Sequence, residues 1–86
     1  MPEISRFYGI IISMLYNDHE PAHFHAVYGE YEASFSVNEL KILSGQMPRR
    51  AEALILDWAE IHKNELLEEW TLAKSKKPLF KINPLN

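Results

Sequence analysis

The stretch His23-Phe24-His25-Ala26-Val27-Tyr28-Gly29-Glu30-Tyr31-Glu32-Ala33-Ser34-Phe35-Ser36-Val37 decides the fold. Residue types alternate on both sides of Gly29-Glu30, and Gly at the first position of a two-residue loop suits a type II′ hairpin turn. That turn sets the register: Tyr28 opposes Tyr31, Ala26 opposes Ala33 and Phe24 opposes Phe35 on one apolar face. With a side-chain period of two, the other face carries His23, His25 and Val27 across from Ser36, Ser34 and Glu32. Both strand histidines are therefore expected to point away from the main core.

Working outward, Tyr8 to Tyr16 is rich in Ile, Tyr, Met and Leu and ends at Asn17-Asp18, the composition of a strand closed by a turn. Glu39 to Leu43 reads as a further strand, with a short helical turn as the alternative. Pro48 suits a first helical turn and opens a helix to about Lys74. Along it Ala51, Leu54, Ile55, Trp58, Ile61, Leu66, Trp70 and Ala73 recur at helical spacing, and polar residues fill the opposite side. This stripe is expected to cover the apolar face of the hairpin. Pro78 and Pro84 make the tail extended, with Leu79, Phe80 and Ile82 as anchors on the sheet edge or on another subunit. The expected architecture is α+β: a three- or four-stranded antiparallel sheet over about 8–43, one long C-terminal helix over about 48–74, and an extended tail over 75–86. All of it forms a single domain, 1–86.

Composition narrows the function classes. A chain of 86 residues has room for one core and little for a deep cavity. Without cysteine, disulfides, thiolate zinc ligands and a cysteine nucleophile are excluded, so any metal site is built from His, Asp and Glu. The apolar run at Tyr8-Gly9-Ile10-Ile11-Ile12 is too short to span a bilayer, and a cytoplasmic protein with no membrane partner is expected. A net charge of -3 disfavours RNA as a general partner, because phosphate contacts normally draw on a basic surplus. Local basic patches remain at Arg49-Arg50 and around Lys74, Lys76, Lys77 and Lys81.

Three of the four histidines fall in Asp18-His19-Glu20-Pro21-Ala22-His23-Phe24-His25. On a strand, His23 and His25 project from one face about 7 Å apart, a spacing that suits a shared ligand. With His19 or Asp18 from the preceding loop and Glu32 from the facing strand, they form a candidate site for a divalent metal: zinc, manganese or iron. A second reading makes them an acid and base pair acting on a phosphodiester, with Arg49, Arg50 or Arg6 stabilising developing charge. In a third, they are half-exposed strand residues bonded to Ser34 and Ser36, with His19 in a turn. Arg49-Arg50 at a helix start opposes the helix dipole, which hints at an anion or an acidic partner, with surface pairing to Glu52 as the plainer explanation. Trp58 and Trp70 read as core or interface aromatics, and His62 as structural. Tyr8, Tyr16, Tyr28 and Tyr31 are numerous for so small a chain, and any left exposed would favour a partner interface.

The segments Met1 to Ile12, Asn17 to Ala26 with Tyr28 to Ala33, and Met47-Pro48-Arg49-Arg50-Ala51 with Asp57-Trp58-Ala59 together resemble a small bacterial family, the domain-of-unknown-function family 4160. The family's activity is unassigned. The resemblance implies a gene found beside another small gene, in pairs suspected of being toxin-antitoxin modules, and it points to His19, His23, His25, Arg49 and Arg50 as motif positions. A second Pro usual before the His-Phe-His segment is Ala22 here. Two function classes follow. In the first, the protein is a partner-binding component of a toxin-antitoxin-like or regulatory gene pair, its partner a small protein from a neighbouring gene, with a homo-oligomer also open. In the second, it is a small hydrolase of RNA phosphodiesters using His23 and His25 as acid, base or metal ligands.

Overall fold

The computed structural model describes residues 2–86; Met1, the first residue of the expected domain, lies outside the described residues. Five strands, β1 (Glu3–Phe7), β2 (Ile10–Ser13), β3 (His23–Tyr28), β4 (Tyr31–Ser36) and β5 (Ile42–Gly45), precede two helices, α1 (Arg49–Ile61) and α2 (Lys63–Lys74). Each strand pairs antiparallel with the next, in the order β1-β2-β3-β4-β5. The α+β class is as expected, but the sheet has five strands rather than three or four, and a break divides the expected single helix.

The central hairpin takes the expected register, with Phe24 opposite Phe35, His25 opposite Ser34 and Tyr28 opposite Tyr31. Gly29 has φ of +59°, the conformation required at the first loop position. The additional strand is β1. Glu3 pairs with Ser13 and Ser5 with Ile12, so Ile4 sits in a bulge and the period-two pattern is interrupted there. The connection to β2 is a two-residue turn at Tyr8-Gly9 with positive φ at both residues, the type I′ geometry that matches strand twist. β5 begins later than the expected 39–43 because Val37 to Glu39 form a turn, in which Ser36 Oγ accepts the Glu39 N–H.

Gly45 is the last residue of β5 rather than part of a turn after it. Its φ is +85°, and a Cβ there would lie 2.2 Å from the Glu32 carbonyl oxygen. The backbones approach this closely beside the register shift between Ser34 and Phe35, and only glycine fits.

The expected stripe covers the apolar face of the sheet. Trp58 is fully buried, its ring centroid 5.4 Å from Phe7 and 5.8 Å from Phe24, while Phe24 and Phe35 stack at 5.4 Å. Helical spacing from Ala51 through Ile55 and Trp58 brings His62 onto the same inner side. There its ring faces Trp58, its Nδ1 meets Glu65 Oε1, and its φ of -108° ends α1. The hydrogen bonds His62 N–H to Trp58 O and Leu66 N–H to His62 O carry the ladder across the break, which is therefore local to His62. Ile61, placed in the stripe by spacing, is instead exposed. The tail runs along the β1 edge of its own chain: the Ile82 N–H donates to Ile4 O at 2.8 Å, and the Trp58 indole N–H donates to Asn83 O at 2.8 Å. Among the described residues no helix is long and apolar enough to cross a membrane.

Candidate functional site

β3 is the middle strand of the sheet, and its two ends carry the two features with chemical potential. At its N-terminal end His23 and His25 meet Asp18, from the loop after β2. Oδ2 of Asp18 lies 2.9 Å from His23 Nε2 and 3.6 Å from His25 Nε2. Among the described residues these three side chains form the group whose potential metal-ligating atoms all fall within 4.8 Å of one another. Asp18 is held by its other oxygen, since Oδ1 accepts the His19 N–H at 2.8 Å. Burial works to raise the Asp18 carboxyl, but the hydrogen bond from the His19 amide and the neighbouring His23 and His25 rings outweigh it and bring it below the usual carboxylate range.

His23 is only 4% exposed, against the expectation of a half-exposed strand residue. Trp70 of α2 packs on its ring at 5.1 Å, and the loop from Asp18 to Pro21 closes over it. Its bonds are to Pro21 O and Asp18 rather than to Ser36. Ser36 instead serves the Glu39 amide, and Ser34 Oγ pairs with Ser44 Oγ at 2.7 Å. The loop is anchored to α2 by the Asn17 N–H donating to Ala73 O at 3.0 Å and by Glu20, which accepts from Trp70 Nε1 and Lys74 Nζ. Those two donors, Lys74 first, hold the Glu20 carboxyl below its ordinary range.

The cluster opens into a cleft of about 560 Å³ lined by Leu15, Asp18, His19, Pro21, His23, His25, Ser34, Leu43 and Ser44. His19 stands at its mouth, largely exposed, with its ring 5.2 Å from that of His23 and its Nε2 3.7 Å from Asp18 Oδ1. Glu32 is exposed, pairs across from Val27 and does not line this cleft. Arg49 and Arg50 are exposed at the start of α1 and line other hollows, so the structure does not bring them to the histidines. Trp70 stood out in the sequence only as an aromatic of the helical stripe, and the β5 wall at Leu43 and Ser44 carried no signal for the cleft. Asp18 did, as the residue heading the histidine run.

The C-terminal end of β3 carries the tyrosines. Tyr28, its partner Tyr31 and Tyr8 in the β1–β2 turn are all exposed, Tyr8 at 59%. A hollow of about 290 Å³ lies between this end of the sheet and the first turn of α1, lined by Tyr8, Ile10, Tyr28, Pro48, Arg50, Ala51 and Leu54.

A five-stranded antiparallel meander backed by two consecutive helices, with an Asp-His-His cluster at one end of its middle strand, defines the chain as a small α+β domain. Residues 9–71 match the family described as Domain of unknown function (DUF4160), and the chain belongs to that family. No curated protein and no solved structure matches the chain.

Proposed function

We propose that the protein is a small cytoplasmic partner-binding module, one component of a bacterial toxin-antitoxin-like or regulatory pair, and that it docks its partner through the tyrosine end of the sheet. The observation that carries this reading is the exposure of Tyr8, Tyr28 and Tyr31 beside the Arg50 hollow. Tyrosine and arginine dominate binding hot spots, and a shallow apolar hollow rimmed by them suits an inserted side chain. The paired-gene arrangement implied by the family resemblance supplies the partner class, a small protein from the adjacent gene. Co-expression of the two genes and co-purification tests it: a stable complex supports the proposal, and two proteins that elute separately at micromolar concentration refute it.

A second reading, a hydrolase of RNA phosphodiesters, is favoured by the convergence of Asp18, His23 and His25 on an open cleft. In that reading His25 and the cluster face substrate, while Arg49 and Arg50 have no part in the chemistry. Growth arrest on expression that disappears in His25→Ala supports it, and arrest that persists unchanged excludes it.

A further inference from the structure

We infer that Asp18, His23 and His25 form a binding site for a divalent ion of the zinc class, with three protein ligands and a coordination position open to the cleft. His23 carries the first half of the case. Its Nδ1 lies 2.7 Å from Pro21 O, an acceptor with no hydrogen to give, so Nδ1 is the donor, and in the neutral ring Nε2 turns its lone pair toward Asp18 Oδ2 at 2.9 Å. A lone pair facing a carboxylate needs a cation between them. A proton would meet that need for His23 alone.

His25 distinguishes the metal from the proton. Its Nε2 is buried, has no hydrogen-bond partner among the described residues and lies 3.6 Å from the same Oδ2. A proton held between His23 and Asp18 would leave that nitrogen orphaned, whereas a metal ion takes all three donors. Zinc bonded at about 2.0 to 2.2 Å sets tetrahedral ligand atoms roughly 3.3 Å apart, and the separations of 2.9 and 3.6 Å from Asp18 Oδ2 to the two imidazole nitrogens bracket that value. Two imidazoles to one carboxylate favour zinc over the more oxygen-seeking manganese.

The surroundings are those of a ligand set held in place. The Pro21 carbonyl on His23 Nδ1 is the outer partner that metal-binding imidazoles commonly have, and it fixes ring and tautomer together. The His19 amide fixes Asp18 through Oδ1 and leaves Oδ2 for the ion. Both histidines sit on the middle strand, and the cleft admits the ion and a fourth ligand. The site lies at the opposite end of β3 from the tyrosines, so its failure would leave the docking proposal untouched.

The test is metal titration of tag-free, chelator-treated protein with Zn²⁺ and Co²⁺, read by calorimetry and by visible absorption. One ion per chain, a Co²⁺ ligand-field spectrum, and affinity weakened roughly a hundredfold or more in His25→Ala and Asp18→Asn support the site. Circular dichroism of each variant separates ligand loss from misfolding, and Glu32→Gln should bind as the wild type does. Absence of stoichiometric binding at micromolar protein, or equal affinity in wild type and a folded His25→Ala, overturns it.

Discussion

Glu69 is fully buried on the inner side of α2, beside Trp70, and its replacement by glutamine separates charge from shape at one position. Oε1 accepts the Phe80 N–H at 2.9 Å, while Oε2 has no partner among the described residues. Burial raises the carboxyl above its ordinary value of 4.5, Glu68 and Glu65 add to the rise, and the Phe80 amide opposes it. The folded state therefore holds this proton more tightly than the unfolded chain. Its contribution to stability is complete below about pH 4 and is lost as pH climbs through the raised folded value. Glu69→Gln keeps the acceptor for Phe80 and removes the charge. An orphaned buried polar group costs about 1 to 3 kcal/mol, and more when charged. The neutral amide should then gain on the order of 1 kcal/mol at pH 7.5, about 4 to 8 °C in Tm for a domain of this size. Urea denaturation of both proteins from pH 4 to 8 measures it. The stability gained by the variant over wild type should grow as pH rises across this window; a variant less stable than wild type at pH 7.5, with a difference that does not change with pH, refutes the reasoning.

Gly45→Ala should destabilise by about 3 kcal/mol or more, because an L-residue is strained at its positive φ and the new Cβ meets the Glu32 carbonyl. Chemical denaturation checks it, and the β5 wall of the cleft should exchange its amides faster. Trp58→Ala should cost about 3 to 5 kcal/mol, enough to unfold much of a marginal domain, and should release the tail held through Asn83. Tyr8→Ala with Tyr28→Ala should leave stability within about 1 kcal/mol of wild type, since exposed side chains contribute little to the core.

The hairpin was legible because alternation and the Gly29 turn both act within a few residues, and the structure reproduces its register pair by pair. β1 was hidden by the bulge at Ile4, which breaks the alternation, and by a turn whose first residue is Tyr8 rather than the usual Asn or Asp. The helix was legible as a stripe, but the break at His62 was not. Spacing alone does not report that an inward-facing imidazole sits against Trp58 and engages Glu65.

In the candidate site, the pairing of His23 with His25 on one strand face followed from period two. Their unequal burial did not, because the cover on His23 comes from Trp70, far along the chain. Asp18 rather than Glu32 completes the cluster: the loop folds back over β3, whereas Glu32 lies opposite Val27, two cross-strand pairs beyond His25. The arginines were grouped with the histidines by motif, yet α1 starts beside the tyrosine end of the sheet.

The most direct test of the docking proposal is the affinity of the purified protein for the adjacent gene's product, measured by calorimetry for wild type, Tyr8→Ala/Tyr28→Ala and His25→Ala. The proposal requires a complex whose affinity falls about tenfold or more in the tyrosine variant and holds in the histidine variant. No complex, or one weakened by His25→Ala and indifferent to the tyrosines, would contradict it.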